Sequence, residues 1–197
     1  MPRVKFYFDV GSPYAYLAAQ RLQTLLPEPV EWQPVLLGGL FKLTGRSSWA
    51  LGDYRRRQAG MAEIERRARG YGLPPMRWPD PWPTDYLTAM RAVTFAFGAG
   101  VGREFARAAF RAAFQRGVDL SIPAHVFETA SGVALDRATI EDAVQHPRVK
   151  GVLREATESA FDLGVFGVPT VAIDDELFWG DDRLEDAVAH LRVAPIH

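Results

Sequence analysis

The sequence predicts a mixed α/β fold, in which a βαβ unit near the amino end and a ββα unit near the carboxyl end build one sheet. Two observations support this prediction. Strand patterns occur near both ends, with period-two alternation at the amino end and a strand, a turn and a returning strand at the carboxyl end, and the long middle of the chain has helical spacing with almost no strand pattern. A length of 197 residues suits one domain, or one domain that carries a large insertion.

The amino end predicts a strand, a helix and a second strand. Residues 4–10 alternate apolar and polar side chains, as strands do. Ser12 is a favoured N-cap residue and Pro13 is favoured at the first helical position, so a helix is predicted to begin at Ser12 and to stop at Pro27. Residues 30–35 form the second strand, which completes a right-handed βαβ unit with a parallel pair.

The middle of the chain predicts helices separated by clusters of Gly and Pro. The predicted helices cover residues 54–70, 85–97, 101–116, 122–131, 136–145 and 147–163. We therefore predict two units, a discontinuous sheet domain formed by residues 1–44 and 157–197, and an all-helical insertion domain formed by residues 45–156.

The carboxyl end predicts a β-hairpin and a final helix. Residues 168–173 form a strand, 174–176 a turn and 177–179 the returning strand, and the helix runs from Asp181 to about Arg192. Joining this ββα unit to the βαβ unit gives the thioredoxin fold, a mixed sheet with helices on both faces.

Pro169 supports the same assembly. A proline is tolerated at the start of a strand only in special geometry. In thioredoxin folds the proline at this place has a cis peptide bond and faces the N-terminus of the first helix. The position of Pro169, between Gly167 and a predicted strand, favours that arrangement here.

Composition excludes several classes of function. The chain has no cysteine, which excludes thiol nucleophiles, disulfide exchange and Cys-based metal sites. A formal net charge of -1 gives no global field that would attract nucleic acid or anionic lipid. No apolar run is long enough to span a bilayer, and residues 1–8 lack the apolar core of a signal peptide. We expect a cytosolic protein with no nucleic-acid or membrane partner.

Ser12 is the first candidate for chemistry. The start of a helix offers free N–H groups and the positive end of the helix dipole, which stabilise one negative charge by about 0.3–1 kcal/mol. For an isolated Ser-Pro pair, a plain N-cap is the simpler interpretation. The position after the first strand, the facing Pro169 and the aromatic side chains of Tyr14 and Tyr16 favour a functional site.

Other groups of residues give weaker signals. A serine hydrolase is not supported, because no G-x-S-x-G elbow surrounds Ser12 and the histidines at 125, 146, 190 and 197 follow no catalytic motif. Asp181 and Asp182 either stabilise the start of the last helix or bind an ammonium group. The arginines at 55–57, 66, 67 and 69 are typical of a solvated helix face, from which one or two side chains can meet a carboxylate of a cofactor or substrate. No group has metal-ligand spacing, so no metal is predicted.

Five stretches occur in order from one end of the chain to the other: FDVGSPYAYLA at 8–18, VLLGGLFK at 35–42 with Thr44-Gly45, AMRA at 89–92, GVFGVPT at 164–170 and LFWGDDRLE at 177–185. Together they resemble the 2-hydroxychromene-2-carboxylate isomerases, which are relatives of kappa-class glutathione transferases and of DsbA. The second stretch resembles the loop that follows the second strand in that family.

The resemblance implies a glutathione site around the first helix. Ser12 resembles the serine that hydrogen-bonds the glutathione sulfur and favours its thiolate, and Pro13 and Tyr14 stand beside it. Val168, which precedes the cis-proline position Pro169, resembles the residue whose backbone pairs with the cysteinyl unit. A hydroxyl donor at a helix N-terminus is suited to stabilise a thiolate.

The resemblance also assigns the two ends of the tripeptide. Asp181 and Asp182 resemble the pair at the γ-glutamyl end, with Asp182 the better candidate for its ammonium group. Relatives often have Asn where this chain has Arg46, and the lysine that follows is replaced by Arg55 or Arg56. We therefore predict that Arg46 and Arg56 contribute to the cofactor site, and another low-molecular-weight thiol stays open as the cofactor.

The activity that the resemblance implies is a glutathione-dependent isomerisation of a hydroxychromene carboxylate or a similar aromatic-derived acid. The thiolate adds to the conjugated system, the ring opens, a bond rotates and the thiol is expelled, so glutathione is recycled. Two alternatives stay open, a kappa-like transferase that leaves glutathione on its product and a thiol-binding protein without catalysis. The family also implies a homodimer. Disulfide oxidoreductase activity is excluded because the chain has no cysteine.

Overall fold

The computed structural model describes residues 3–26 and 29–193, and four strands in these residues form one mixed sheet. The strands are β1 (Val4–Phe8), β2 (Val30–Pro34), β3 (Thr170–Ile173) and β4 (Glu176–Trp179). Their order is β2-β1-β3-β4, with β1 parallel to β2 and antiparallel to β3, and β3 antiparallel to β4. This is the predicted combination of βαβ and ββα, and the thioredoxin fold is confirmed.

Nine α-helices occur in the described part of the chain. They are α1 (Pro13–Leu25), α2 (Leu37–Thr44), α3 (Tyr54–Gly70), α4 (Leu87–Gly98), α5 (Gly102–Arg116), α6 (Pro123–Ser131), α7 (Arg137–Gln145), α8 (Pro147–Asp162) and α9 (Leu184–Val193). Single 3-10 turns at Trp49–Leu51 and Asp181–Arg183 precede α3 and α9. The six helices predicted in the middle of the chain are all present, each end within two residues of the prediction.

Helix α1 begins as the sequence predicts. Ser12 has extended backbone, its Oγ accepts a hydrogen bond from the N–H of Ala15 at 3.2 Å, and Pro13 occupies the first turn. The helix ends at Leu25. Pro27, which was predicted to stop it, lies outside the described residues. Local capping chemistry therefore places Ser12 at the N-terminal end of α1, in the loop that follows β1.

Helix α2 differs from the expected loop. Two adjacent glycines lower the helix propensity of this segment, but contacts with α8 offset that loss. The N–H of Leu36 donates to Thr157 Oγ1 at 2.9 Å. A Cβ on Gly39 would lie 3.0 Å from Thr157 Cγ2, so the glycine permits close packing of the two helices. Gly45 ends the helix with a φ of 66°, in the left-handed region that favours glycine.

Both faces of the sheet are covered near β1. The rings of Phe6 and Phe8 stack on one face with centroids 5.4 Å apart, and Trp32 of β2 meets both rings edge-on. Tyr7 points to the other face and is also buried. The central strand is therefore held from both sides, which fixes the position of the loop that leads from β1 to Ser12.

The helical segment and the sheet share one hydrophobic core. Phe8 contacts the rings of Phe97 in α4 and Phe110 in α5 at centroid distances of 6.2 and 5.9 Å. Residues 45–156 contain helices and no strand in the described part of the chain. The division into two domains stays a prediction, and α8 runs across its boundary at residue 156.

Candidate active site

A cavity of about 680 Å³ opens at the start of α1. Four segments line it: the β1–α1 loop, the first turns of α2, the turn around residues 48–51 and the loop at 82–87. Gly167, Val168 and Trp179 complete the lining. Of the predicted site residues, Ser12, Pro13, Tyr14 and Val168 line this cavity, although they come from opposite ends of the sequence.

Ser12 lies in the lining with two hydrogen-bond donors available at the helix start. Ser12 is only 4% exposed, and its backbone N–H donates to the carbonyl of Asp9 at 3.0 Å. Pro13 has no N–H, and the N–H of Ala15 is used by Ser12 Oγ. Within residues 3–26 and 29–193, neither the Ser12 hydroxyl proton nor the N–H of Tyr14 has an acceptor. These two donors and the helix dipole can stabilise an anion such as a thiolate.

Val168 offers an unpaired stretch of backbone on the same cavity. The Val168–Pro169 peptide bond is cis, as the sequence favours. The Pro169 carbonyl accepts a hydrogen bond from Gly180 at 2.9 Å, and Thr170 Oγ1 donates to the carbonyl of Gly167 at 2.8 Å. The N–H and C=O of Val168 itself find no partner among the described residues. A backbone edge of this kind can pair with an extended peptide.

Asp9 lines the same cavity and was not singled out from the sequence. It is 3% exposed, and its two oxygens accept hydrogen bonds from the N–H groups of Gly11 and Leu37, each at 2.8 Å. Burial raises the pKa of Asp9 to about 6, and the charge of Asp85 acts in the same direction, while the two N–H donors oppose it. The carboxylate thus ties the Ser12 loop to the start of α2. Its local signal was an Asp two residues before a Gly, which is typical of an Asx turn.

Aromatic rings line another part of the cavity. Tyr14 meets Trp49 edge-on with centroids 6.2 Å apart, and Trp49 meets Trp82 at 5.6 Å. The indole N–H of Trp82 is buried with no hydrogen-bond partner in the described part of the chain. We call these three residues the aromatic wall. Sequence reasoning did not identify Trp49 or Trp82, because both lie in segments outside the predicted helices, where no periodic pattern relates them to Ser12.

Two further tyrosines have different positions. Tyr86 lines the cavity and packs so closely on Gly11 that a Cβ there would lie 2.5 Å from its ring. Burial raises the pKa of Tyr86. Tyr16 is fully buried against Phe114 and accepts a hydrogen bond from Gln115 at 3.0 Å. The prediction that Tyr16 forms part of the site wall is wrong. Tyr16 lies two residues after Tyr14 in α1 and therefore faces another side of the helix, where its ring packs in the core.

The predicted cationic residues lie outside the lining. The guanidinium of Arg46 lies 4.4 Å from the ring centroid of Phe166, and the exposed Arg56 uses its backbone N–H to cap α3 through Asp53. Lys42, in the last turn of α2, is the only Lys or Arg of the described residues that lines the cavity. Lys42 belongs to the VLLGGLFK stretch that carries the family resemblance, but sequence reasoning gave it no role in the site.

The two predicted aspartates differ in their environment. Asp181 is 1% exposed, and its oxygens bond Arg67 Nη1 and the Tyr71 hydroxyl, each at 2.9 Å. Burial raises the pKa of Asp181, while Tyr71 and Arg67 oppose that effect. The side chain of Asp182 is 57% exposed, with Oδ2 3.3 Å from the same Arg67 nitrogen. Asp182 therefore keeps an accessible carboxylate, whereas both oxygens of Asp181 are already used.

Arg67 connects this pair to the cavity. Its guanidinium lies 5.6 Å from the ring centroid of Tyr14, which lines the cavity. Arg21 donates to the backbone carbonyl of Asp181 at 3.0 Å and lies 3.7 Å from the ring centroid of Tyr71. The sequence suggested that one or two arginines of α3 meet a carboxylate of a cofactor or substrate. Arg67 instead pairs with Asp181 and Asp182 of this chain.

A second cavity, of about 780 Å³, lies between β2, α4, α7 and α8. None of the predicted site residues lines it, so its larger volume does not make it the better candidate.

The histidines of the described residues make ordinary local contacts. His146 on the edge of the second cavity accepts a hydrogen bond from the N–H of Arg148, and His125 bonds the carbonyl of Asp119. His197 lies outside the described residues. Among those residues no cluster is placed to hold a metal ion, and no helix is long and apolar enough to cross a membrane.

Comparison with known proteins gives one family and two kinds of relative. The family model of the DSBA-like thioredoxin domain matches residues 3–192. A 2-hydroxychromene-2-carboxylate isomerase from Sphingobium xenophagum is 28% identical over 95% of this chain and 97% of its own. The human glutathione S-transferase kappa 1 is 27% identical over 97% of this chain and 91% of its own.

Solved structures agree with the fold. A solved structure of a 2-hydroxychromene-2-carboxylate isomerase superimposes with a TM-score of 0.82 at 24% identity, over 96% of this chain and 95% of that one. A probable DsbA oxidoreductase from Streptomyces coelicolor gives a TM-score of 0.79 at 20% identity, over 100% and 93% of the two chains. Both structures share the arrangement of strands and helices described above.

Proposed function

Because the chain belongs to the family of DSBA-like thioredoxin domains, and its curated relatives carry the names of isomerases and kappa transferases, we propose that it is a glutathione-dependent isomerase. The proposed substrate is 2-hydroxychromene-2-carboxylate or a similar aromatic-derived acid. The observation that supports this most is the pair of free donors at the start of α1, the Ser12 hydroxyl and the Tyr14 N–H, in a chain without cysteine.

The residues present fit a small thiol peptide. The free N–H and C=O of Val168 suit an extended backbone, and the exposed carboxylate of Asp182 suits an ammonium group. Lys42 supplies a positive charge inside the cavity, a role for which the sequence had suggested Arg46 and Arg56. When bound, glutathione supplies a thiolate that can add reversibly to a conjugated acid.

Ser12 has a defined role in this proposal. Its hydroxyl donates a hydrogen bond to the sulfur atom and thereby lowers the pKa of the bound thiol. The dipole of α1 acts in the same direction. Because the Ser12 Oγ already accepts a bond from Ala15, its proton is directed away from the helix end, which leaves it free for the ligand. Ser12 is thus an activating donor in this proposal, and no covalent bond forms to it.

Stoichiometry tests the proposed reaction. The purified chain is mixed with chromene carboxylate and glutathione at a small fraction of the substrate concentration. We expect complete approach to isomer equilibrium with glutathione recovered unchanged. Conversion that stops when glutathione is consumed would instead identify the second candidate, a kappa-like transferase, which the 27% identity to the human enzyme favours.

Thermal shift tests the cofactor separately. The melting temperature is measured with glutathione, mycothiol and bacillithiol. We expect stabilisation by glutathione, since a ligand that binds only the folded state raises the melting temperature. Stabilisation by another thiol would correct the cofactor, and no stabilisation by any of the three would contradict the proposal. Stabilisation without turnover of the acid would identify a thiol-binding protein that does no chemistry.

A further inference from the structure

Gly60 lies in the interior of α3, where glycine is among the poorest helix formers. Its backbone is not in the left-handed region, so the turn geometry does not require glycine there. A packing contact explains the choice. A Cβ at residue 60 would lie 2.1 Å from Cζ3 and 2.7 Å from Cη2 of Trp49, well inside the contact distance of two carbon atoms. The indole of Trp49 therefore lies directly on the bare backbone of α3.

The position of that indole determines the shape of the cavity. Trp49 is the middle member of the aromatic wall, between Tyr14 and Trp82, and all three line the cavity that contains Ser12. Trp49 is held edge-on to Tyr14, and Trp82 in turn contacts Trp78 with centroids 4.7 Å apart. A shift of the Trp49 ring away from α3 would therefore move it toward the cavity or break its contacts with both neighbours.

We propose that Gly60 is a specificity-determining position: it seats Trp49 so that the aromatic wall accepts the flat ring of an aromatic carboxylate next to Ser12. Gly60 acts through Trp49 and does not itself touch the substrate. Aromatic faces attract a flat ring by offset stacking and edge contacts, which a saturated ring cannot make in the same way. The class of substrate rests on the proposed function, but the selectivity for a flat ring can be measured without turnover.

The test compares two carboxylates, 2-naphthoate and cyclohexanecarboxylate, by isothermal titration calorimetry without any thiol. Gly60→Ala is expected to weaken 2-naphthoate about three- to tenfold and to change cyclohexanecarboxylate less than twofold, as loss of an aromatic contact does. Gly70→Ala is the matched control, because it lies in the same helix and a Cβ there meets nothing within 4 Å. We expect Gly70→Ala to bind both probes as the unchanged chain does.

A double-mutant cycle tests whether Gly60 acts on ligand binding through Trp49. Trp49→Leu alone is expected to weaken 2-naphthoate selectively, and Gly60→Ala added to Trp49→Leu is expected to have no further effect, because the ring that the methyl group displaces is gone. Circular dichroism and melting temperature confirm that each variant is folded. If Gly60→Ala does not fold, Trp49→Leu and Trp82→Leu alone still test the wall.

Three outcomes would overturn the inference. They are equal losses for both probes, an unchanged affinity of Gly60→Ala for 2-naphthoate, and a Gly60→Ala effect that persists in the Trp49→Leu background. None of these outcomes depends on glutathione. A chain that prefers 2-naphthoate in the expected way but turns over no acid with any thiol would refute the proposed function and leave this inference standing.

Discussion

The cavity has two kinds of wall. The β1–α1 loop and Val168 present a hydroxyl and free backbone groups, and the hydrogen bonds that Asp9 accepts from Gly11 and Leu37 hold that loop in place. The turn at 48–51 and the loop at 82–87 present aromatic rings that are held by ring contacts. Directed hydrogen bonds position charge, whereas ring contacts select shape. We therefore expect substitutions in the first wall to change turnover and those in the second to change selectivity.

The largest expected effect is that of Ser12→Ala. Loss of one donor to a developing anion lowers kcat on the order of 10²–10³-fold in comparable sites. We expect turnover at saturating thiol to fall by about that factor, while the Michaelis constant for the acid changes little. The measurement is steady-state kinetics with chromene carboxylate across a range of glutathione concentrations.

Ser48→Ala is the matched control. Ser48 also lines the cavity and its Oγ also caps a helical turn, accepting a hydrogen bond from Ala50 at 3.2 Å. Each alanine variant should lose about 1 kcal/mol of stability from the missing cap. Only Ser12→Ala should lose turnover, so similar turnover losses in both variants would reduce Ser12 to a plain N-cap.

The next largest expected effect is the pH dependence of folding stability that Asp9 causes. Because burial raises the pKa of Asp9 to about 6, the folded chain keeps a proton that the unfolded chain releases between about pH 4 and pH 6. The unfolded state then binds fewer protons, so this group's contribution is fully present below pH 4 and is lost as pH rises through 6. The loss is on the order of 3 kcal/mol.

Asp9→Asn measures that loss, because asparagine does not titrate. The free energy of unfolding is determined by urea denaturation from pH 4 to pH 7 in both proteins. We expect the stability of the unchanged chain relative to Asp9→Asn to fall as pH rises through this window. Other carboxylates, including Asp181, titrate in both proteins and cancel in the difference. A difference that stays constant with pH would show that Asp9 does not have a raised pKa.

Substitutions of Asp181 and Asp182, the two aspartates after β4, should differ in their effects on stability and on thiol binding. Asp181→Asn is expected to lower stability by about 1.5–3 kcal/mol, because it weakens buried bonds with Arg67 and Tyr71. Asp182→Asn is expected to leave stability within about 0.5 kcal/mol, since the residue is exposed, and to raise the dissociation constant for glutathione. Urea denaturation and calorimetric titration measure the two quantities. A thiol affinity unchanged in Asp182→Asn would remove this residue from the proposed site.

The smallest expected effect comes from a comparison of two cationic side chains, Lys42 and Arg56. Lys42→Met should raise the Michaelis constant for glutathione or for the acid about two- to tenfold, as loss of a partly exposed charged contact does. Arg56→Met is the control, since Arg56 is exposed and outside the cavity lining. Steady-state kinetics at two salt concentrations measure both variants. If Arg56→Met alone changes the constants, the assignment first suggested by the sequence is the correct one.

Much of the fold could be predicted because its signals are local. The Ser12–Pro13 cap, the presence of strand β1 and the helix limits of α3 depend on neighbouring residues only, and each agrees with the structure, although β1 ends at Phe8. The loop expected at α2 was wrong because the contact with Thr157 in α8 offsets the weak helix propensity of two glycines. The division into two domains, the homodimer and the cytosolic location stay predictions.

The features of the site also divide into those that the local sequence determines and those that depend on tertiary contacts. The sequence by itself determined that Ser12 starts a helix after a strand and that no cysteine is present, because capping and composition need no distant partner. Only the tertiary structure decided that Trp49 and Lys42 share the cavity with Ser12, and that Asp181 is already bound by Arg67. Those contacts join segments far apart in the chain, and such long-range packing leaves no periodic trace in either segment alone.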